Sequence, residues 1–479
     1  MDLSDPIPII KTLVPKVPLM GKTALLHSLG ISNTSKYWDL RTEMIITVIR
    51  SLVVKSGPAH VAKAQKLSLK DPGIKGKMWI SKVGVPKPCE DDLLMAVIDA
   101  VDSLKDEGAF YTKPNLVDIT AEWTGYRAGA TSNSPELKIS EEEKYKEMMK
   151  EVKAPATVLY FHGGAHYLMD PSSHRPGCSK LAKFTKGRVL SVRYRLAPQN
   201  PFPAALVDAL LSYLYLLYPT AGSFHTPVEA RHVVFSGDSA GGNLAASLLL
   251  LILTLNKAGR KITFNGQQVD IPLPGGVALN SPWMDITGSC PSTTTYAAYD
   301  YLPGQHSHPK GLEYHPDELW PVSPPRKALY ADDDVLLHPL VSPLAAPAEM
   351  WKGSCPVWIV TGWELLNDED RAGAARMLEA GVTVQFEEFE AMPHCFAMLL
   401  DGTRGSRKCF EDWATFITAV TTDPASVNTR VWAVEAKTLK EKELDMAKLC
   451  TFSHEQAMKW MNEKRKAMSS DHPDQLSKL

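Results

Sequence analysis

Cysteine is scarce in this chain, and its placement argues against a disulfide framework. The 479 residues include seven cysteines, an odd number scattered from Cys89 to Cys450. Small secreted domains that depend on disulfides carry dense and usually even sets of cysteine. Zinc sites need closely spaced cysteines or a cysteine–histidine cluster, and the chain shows neither pattern. We therefore expect free thiols in a reducing compartment.

The chain also lacks a large net charge, a secretory signal and a membrane-spanning run. Lys and Arg number 52 and Asp and Glu number 54, so the formal charge is −2. This balance supplies no global attraction to nucleic acid or to an anionic membrane, and such a partner would need a local patch. The N-terminus has no basic start followed by an apolar run. The longest apolar run, 244–255, is shorter than the roughly 20 residues of a spanning helix. We expect it to be a buried core helix in a protein that stays inside the cell.

What the chain does have is enough apolar sequence for a large core, in an alternating pattern. Hydrophobic residues make up 44% and charged residues 22%. From about residue 156, short β-branched runs alternate with longer helical stretches, which predicts βαβ units and a mostly parallel sheet. The predicted strands are 157–161, 189–194, 233–236, 276–279, 357–361 and 384–389. The predicted helices between them are 204–217, 240–255 and 368–380.

Interruptions of this alternation set the predicted domain bounds. Residues 1–125 are predicted to be an N-terminal region that contributes to a cap, with a possible strand at 117–123. The predicted catalytic domain covers 126–425. Within it, a segment at about 285–335 is rich in Pro, His, Tyr and Ser, which is typical of a lid or binding element. Residues 426–479 are predicted to form a charged helical extension.

The last three residues match a targeting signal. Ser477, Lys478 and Leu479 spell the tripeptide that import receptors read as a peroxisomal signal. The polar stretch 469–475 before them is typical of a solvated tail, and such a signal works only when it is exposed. An accidental match is the alternative. We expect a peroxisomal protein with an import receptor as a partner.

A sharp turn carries the candidate nucleophile. The G-D-S-A-G sequence at 237–241 directly follows the predicted strand 233–236 and precedes the helix 240–255. Small residues flank the serine because this strand–turn–helix is tight, and the hydroxyl then projects at the positive end of the helix. A glycine-rich turn without chemistry is the alternative, and the strand–helix context disfavours it. We predict that Ser239 is the nucleophile of an acyl transfer.

A second glycine turn follows the predicted strand 157–161 in the sequence H-G-G-A. Glycines let backbone N–H groups point into a cavity, where they stabilise the oxyanion of an acyl-transfer intermediate. We predict that the N–H groups of Gly163, Gly164 and Ala240 form this oxyanion hole. His162 is expected to hold the loop in shape. An ordinary strand-to-loop turn is the alternative.

A serine nucleophile needs a base, and the base needs an acid that orients it. His394 comes just after the last predicted strand, where a loop would bring it to the serine. Glu364 follows the strand 357–361 and is the predicted acid, while Asp368 is better placed as a charge at the start of a helix. The alternative interpretations are a helix-entry carboxylate for Glu364 and a loop histidine bonded to backbone for His394.

Six sequences occur in an order that resembles the hormone-sensitive-lipase-like esterases: HGGA, YRLAPQNPFPAAL, GDSAGGN, NSPWMDIT, HPLVSPL and MPHCF. The resemblance spans about 155–400. It implies an α/β-hydrolase fold, with an eight-stranded core and a mainly helical cap built from the N-terminal region and an insertion. It also implies hydrolysis of short- to medium-chain esters with no cofactor and no metal. Ser239 is similar to the family nucleophile and His394 to its base. Glu364 stands where the family usually has Asp, and His166 replaces an expected aromatic residue.

A narrower resemblance adds the S-K-L tail and the segments 38–43 and 74–79. With these the chain resembles fungal peroxisomal hydrolases of host-selective toxin biosynthesis, of the AK-, AF- and ACT-toxin type. The substrate implied is a small-molecule ester, with an acyl-CoA thioester as an alternative. A steryl-acetate deacetylase and a non-catalytic binding module of the same fold are further alternatives. No nucleic acid partner and no transmembrane segment are expected.

Overall fold

A computed structural model describes residues 13–53, 59–303 and 314–470 of the chain. In this part of the chain, all six predicted strands and all three predicted helices between them are present, with ends that differ by at most two residues. The tripeptide Ser477, Lys478 and Leu479 lies outside the described residues.

A sheet of ten strands forms the centre of the described residues. In chain order the strands are β1 (Met78–Val85), β2 (Ile119–Tyr126), β3 (Thr157–Phe161), β4 (Arg188–Arg193), β5 (Val233–Asp238), β6 (Gly276–Asn280), β7 (Val357–Gly362), β8 (Val384–Phe389), β9 (Arg430–Val434) and β10 (Glu441–Glu443). Their order across the sheet is β1-β2-β4-β3-β5-β6-β7-β8-β9-β10. Neighbours from β4 to β9 are parallel, and the three pairings outside them are antiparallel.

Thirteen α-helices in the described residues surround this sheet. They are α1 (Val17–Ser28), α2 (Leu40–Val53), α3 (Val61–Ser68), α4 (Asp92–Leu104), α5 (Glu141–Glu151), α6 (Pro171–Thr185), α7 (Ala204–Leu217), α8 (Ala240–Lys257), α9 (Ser292–Thr295), α10 (Asn367–Glu379), α11 (Phe396–Leu399), α12 (Arg404–Thr422) and α13 (His454–Ser470). The expectation of a mostly parallel sheet flanked by helices is confirmed.

Two apolar cores lie on the two faces of the sheet. Successive side chains of a strand point to opposite faces, so Leu159 and Phe161 of β3 join the core that contains α7 and α8. Val158 and Tyr160 of the same strand join the core that contains α6 and α12. Helices on both faces explain why β3, β5 and β6 are buried along their whole length.

Helix α8 is long and apolar enough to cross a membrane by length and composition alone. However, 78% of its 18 residues are buried inside the protein. It packs against β3, β5 and β6. This is the core helix that the apolar run at 244–255 predicts.

Both predicted domain boundaries are wrong. The boundary at 125/126 cuts β2, which pairs with β1 over eight residues and with β4 over five. The boundary at 425/426 separates β9 from β8, although these strands pair in parallel over five residues. The extension is also not wholly helical, since β9 and β10 precede α13. Backbone pairing with the sheet, which local composition does not reveal, assigns β1, β2, β9 and β10 to the catalytic unit. The eight strands that the resemblance implies are therefore extended by β9 and β10.

The cap has two parts that differ in structure. The N-terminal part is helical, as expected, and contains α1, α2 and α3. In the described residues of the segment at 285–335, α9 is the one α-helix and it has four residues, so most of the cap's helical structure comes from the N-terminal part. Proline-rich, aperiodic sequence does not sustain a helix. A two-residue parallel pairing of Ala59–His60 with Tyr314–His315 joins the two parts.

Candidate active site

Ser239 occupies the tight turn between β5 and α8. Its backbone angles, φ 54° and ψ −120°, lie in a region that residues other than glycine rarely adopt. Hydrogen bonds hold the turn: Ser239 N donates to Asn280 O at 3.0 Å, and Ser239 O accepts from Trp283 N at 3.0 Å. A Cβ at position 241 would lie 1.9 Å from Phe161 O, so only glycine fits there. The serine is partly exposed, unlike the strand before it.

Glu364 and His394 meet at the carboxyl edge of the sheet. His394 follows β8 and Glu364 follows β7, and His394 Nδ1 lies 2.9 Å from Glu364 Oε1. The other carboxylate oxygen accepts the Ser281 hydroxyl at 2.8 Å. Asp368 instead accepts Ser292 N at 2.8 Å at the start of α10. The structure therefore brings Glu364, and not Asp368, to the histidine.

Burial and charge act in opposite directions on this pair. Burial by itself lowers the pKa of the His394 imidazole, but the charges of Glu364, Asp300 and Asp238 and the bond from Glu364 raise it above its usual value. Burial raises the pKa of the Glu364 carboxyl, and the charge of Asp300 adds to the increase. The Cys395 thiol also faces His394, since its Sγ lies 3.4 Å from Nε2. The imidazole is thus tuned by three carboxylates around it.

Ser239 and His394 converge through the loop after β6. Asn280 accepts from Ser239, and the next residue, Ser281, both donates to Glu364 and accepts Cys395 N at 3.1 Å. Within the described residues the structure records no direct hydrogen bond between Ser239 and His394, whose Nε2 faces Cys395. The serine and the Glu364–His394 pair are therefore linked through the loop after β6.

The glycine loop after β3 presents part of the predicted oxyanion hole. Gly163 N donates to Asp238 Oδ1 at 3.2 Å, so this N–H is not free, contrary to the prediction. A Cβ on Gly163 would lie 2.3 Å from Asp238 Oδ2, so the loop packs closely on this carboxylate and only glycine fits there. Gly164 is partly exposed at φ 110°. Ala240 N is at the first position of α8, where helical N–H groups have no partner within the helix.

Asp238 anchors this loop in a buried polar network. It accepts the Tyr160 hydroxyl at 2.6 Å and lies 3.2 Å from His174 Nε2. Burial raises the pKa of the Asp238 carboxyl, but the charge and bond of His174 outweigh it and lower the pKa below its usual value. His162 contacts the same loop as predicted, since its Nδ1 lies 2.7 Å from Gly163 O. Sequence reasoning missed the role of Asp238 and His174, although Asp238 adjoins Ser239.

Asp300 is a second residue that sequence reasoning missed. Its Oδ2 accepts Leu365 N at 2.8 Å, and its Oδ1 accepts His394 N at 3.4 Å. Arg50 of α2 donates to the backbone oxygen of Asp300 at 2.9 Å. One buried carboxylate of the irregular segment therefore holds the acid loop and the base loop together. Asp300 lies in a segment without hydrophobic periodicity, so the sequence offers no signal for this role.

His166 lies beside the glycine loop, where the resemblance predicts an aromatic residue. Its ring stacks on Tyr330 with 3.6 Å between ring centroids, and Trp283 lies 6.2 Å away. Burial lowers the pKa of His166 to about 3, so the imidazole is neutral. His166 thus packs as a flat ring in the manner of the aromatic residue that it replaces.

One group among the described residues could hold a metal ion by its donor spacing. Ligand atoms of Asp285, Cys290 and Glu369 lie within 4.8 Å of one another, and all three residues are buried. Both Asp285 oxygens accept bonds from Thr287 and Ser289, and Glu369 accepts the N–H groups of Met284 and Asp285. These bonds tie the loop after β6 to α10, which is a structural role.

Comparisons with known proteins identify the fold family of this part of the chain. One family, described as alpha/beta hydrolase fold, matches residues 158–398, a range that contains Ser239, Glu364 and His394. An acetyl-hydrolase of Streptomyces hygroscopicus is 33% identical over 239 residues, which cover 50% of this chain and 67% of that protein. An esterase of Acinetobacter venetianus is 26% identical over 279 residues, which cover 57% of this chain and 80% of that protein.

A solved structure extends the likeness over more of the chain. An esterase of the bacterial hormone-sensitive lipase family superposes with a TM-score of 0.51 at 21% identity. The superposition covers 80% of this chain and 99% of that one. At this identity the likeness concerns the fold.

Proposed function

Since the chain belongs to the α/β-hydrolase family and is a carboxylic ester hydrolase, we propose that it cleaves its substrate through an acyl-enzyme formed on Ser239. The observation that carries the proposal is the Glu364–His394 bond of 2.9 Å at the sheet edge where Ser239 turns. The family match and the structural neighbour support the α/β-hydrolase fold that the resemblance to hormone-sensitive-lipase-like esterases implies.

Acylation begins with proton transfer from Ser239 Oγ to His394 Nε2. The oxygen forms a bond to the acyl carbon, and the carbonyl oxygen becomes an oxyanion. The N–H groups of Gly164 and Ala240 stabilise that charge, together with the N–H of Ala165, which is partly exposed beside Gly164. The tetrahedral intermediate collapses, and the alcohol leaves with the proton from His394. A serine–histidine contact of this kind often tightens only when substrate is bound.

Deacylation repeats these steps with water as the nucleophile. His394 takes a proton from the water, whose oxygen attacks the acyl carbon, and then returns the proton to Ser239 as the carboxylic acid leaves. Glu364 stabilises the imidazolium in both halves and keeps Nδ1 protonated. The three carboxylates around His394 favour its charged form, which arises in each transition state.

Substitution of the serine tests the proposal. Ser239→Ala should lower the turnover of p-nitrophenyl butyrate by on the order of 10⁴-fold or more, because the acyl-enzyme cannot form. A fluorophosphonate probe should label the wild-type protein and not the variant. Ser289→Ala, at a serine bonded to Asp285, is the matched control and should keep both properties. Activity retained by Ser239→Ala would refute the mechanism.

We also propose peroxisomal import through the tripeptide at 477–479, which rests on its match to the import signal. A fluorescent protein fused in front of the last residues should enter peroxisomes. Removal of the tripeptide should leave the fusion in the cytosol. Cytosolic fluorescence of the full fusion would contradict the proposal.

The place in metabolism that we propose is fungal host-selective toxin biosynthesis, on the strength of the motif resemblance alone. A deletion strain should accumulate an ester, or an acyl-CoA thioester, that the wild-type strain consumes. Hydrolysis of acyl-CoA faster than of the matched oxygen ester would identify the protein as a thioesterase instead. An unchanged metabolite profile would contradict the proposed role in toxin biosynthesis.

A further inference from the structure

The N-terminal hairpin of α1 and α2 buries polar side chains and exposes many apolar ones, although Ile46 of α2 is buried. Between these helices lie polar contacts: Glu43, which is buried, contacts His27 and Ser32. The outer surface is instead apolar. Of the sixteen large apolar side chains that are exposed in the described residues, ten lie between Val14 and Leu69. Soluble helices normally turn such residues inward.

One stripe of α1 shows this exposure most clearly. Val17, Leu25 and Leu29 are 60%, 60% and 61% exposed, and Lys22 lies on the same helix face. The spacings of three and four residues place Lys22, Leu25 and the C-cap residue Leu29 in one row, and Val17 lies two turns before Leu25. Thr23, on the opposite face, is the buried residue of this helix. Ile31, just after the helix, is 64% exposed. The row is therefore an exposed apolar surface that contains the positive charge of Lys22.

The same region carries an excess of positive charge. Residues 13–77 contain eleven Lys and Arg but three Asp and Glu, whereas the whole chain has a charge of −2. Lys22, Lys63, Lys66 and Lys70 are exposed, and none of them has an ion-pair partner among the described residues. The remainder of the chain is therefore acidic. A chain with almost no net charge needs a local basic patch to be attracted to an anionic surface, and this region supplies one.

The region lies at the edge of the sheet where the active site is. Trp38, just before α2, donates to Ala391 O in the loop after β8 at 2.6 Å. Gln65 of α3 donates to Tyr167 O at 2.9 Å, and Ser68 accepts Met169 N at 2.9 Å, in the loop after β3. The carboxyl ends of parallel strands share one edge of a sheet. Trp38 and α3 therefore lie on the side of the sheet that carries Ser239.

We propose that the cap region at 13–77 docks on an anionic lipid surface, with the apolar row of α1 and Ile31 as one contact and Lys63, Lys66 and Lys70 as another. Apolar side chains enter the boundary between head groups and acyl chains, and lysines contact the lipid phosphates. Docking brings the active site to esters that are dissolved in lipid. The inference goes beyond the proposed chemistry and concerns where the enzyme meets its substrate.

The combination of properties selects lipid over other occupants. A nucleic acid would use the lysines but leave the apolar row in water, since its recognition relies on phosphate contacts. A second copy of this chain would bring the same positive region against itself in a symmetric contact, and like charges would repel. An anionic lipid surface satisfies the apolar and the basic residues together.

Flotation of the full-length protein with vesicles tests the proposal without any substrate. The protein should float with phosphatidylcholine vesicles that contain phosphatidylglycerol and not with pure phosphatidylcholine vesicles, and added salt should weaken the binding. Bound protein should fall on the order of tenfold in each of two triple variants. The apolar variant is Leu25→Ser, Leu29→Ser and Ile31→Ser. The charge variant is Lys63→Glu, Lys66→Glu and Lys70→Glu.

Matched controls change exposed residues of the same types elsewhere. They are Leu137→Ser, Ile139→Ser and Met446→Ser for the apolar set, and Lys352→Glu, Lys442→Glu and Lys459→Glu for the charges. These variants should bind vesicles like the wild type. All four variants should keep the wild-type melting temperature and the wild-type turnover of a water-soluble ester.

Several results would overturn the proposal. They are equal binding to neutral vesicles, no binding to anionic vesicles, and loss of binding in the controls. Size-exclusion chromatography that shows a dimer broken by the apolar variant, with no vesicle binding, would assign the face to a second copy. Binding to RNA with no vesicle binding would assign the lysines to nucleic acid. Vesicle binding by a protein that fails the Ser239 test would refute the proposed chemistry and leave the docking face standing.

Discussion

Helices α8 and α1 are both rich in apolar residues, yet their surroundings are opposite. In α8 the leucines from Leu244 to Leu251 are buried against the central strands. In α1 the one buried residue is Thr23, while Leu25 and Leu29 face outward. The difference comes from position, because α8 packs on the central strands whereas α1 packs on α2. Apolar composition alone therefore does not say whether a helix is part of a core.

The strongest test contrasts the two carboxylates at the start of α10. Glu364→Gln should lower kcat on the order of 10³-fold, because the amide no longer stabilises the imidazolium of His394. Asp368→Asn should leave kcat within about threefold, since Asp368 bonds to Ser292 and does not contact the histidine. Steady-state kinetics with p-nitrophenyl butyrate measure both. The opposite ranking would assign the acid to Asp368.

A pair of leucine substitutions tests the comparison of α8 with α1 directly. Leu248→Ala in α8 should lower the free energy of unfolding by about 3 kcal/mol, because it leaves a cavity in the core. Leu25→Ala in α1 should change it by less than about 0.5 kcal/mol, because that side chain is already in water. Urea unfolding measures both values. A large loss at Leu25 would mean that the outer row of α1 is covered within the protein.

The link between the cap and the site is tested at Asp300. Asp300→Asn should lower kcat by about tenfold. The amide has one oxygen and no charge, so it cannot accept hydrogen bonds from both Leu365 N and His394 N. KM should change little. Asp332→Asn, at a buried carboxylate that accepts Thr112 N and lies in the same segment, is the matched control and should keep kcat.

The pH profile separates a positioning role of Asp300 from a merely structural one. In the wild type the acid limb of kcat/KM should lie above the usual histidine pKa of about 6.5, because the neighbouring carboxylates raise the pKa of His394. The base acts when neutral, so activity is lost as the pH falls through this raised pKa. In Asp300→Asn the pKa of His394 drops, and the limb should move to lower pH. If kcat falls but the acid limb of the pH profile does not move, Asp300 has only a structural role in the loop.

Much of the sheet and most of the site could be predicted because their signals are local. A strand followed by G-D-S-A-G and a helix requires one backbone turn, so Ser239 is identified by a few neighbours. The choice of Glu364 over Asp368 also follows from distance to a strand end. The bounds of the catalytic unit could not be predicted, because β2 and β9 are assigned by pairing with distant strands. Asp300 was missed for the same reason, since its partners are 65 and 94 residues away.

The sequence by itself determined the fold class and the candidates for nucleophile, base and acid, since each depends on residue types at short spacing. Only the tertiary structure decided which backbone donors are free, because Gly163 is bonded by a carboxylate that adjoins the nucleophile. It also decided which apolar residues face water. Turns and periodicity are properties of a short stretch of chain, whereas burial and hydrogen bonding depend on what the rest of the chain places beside it.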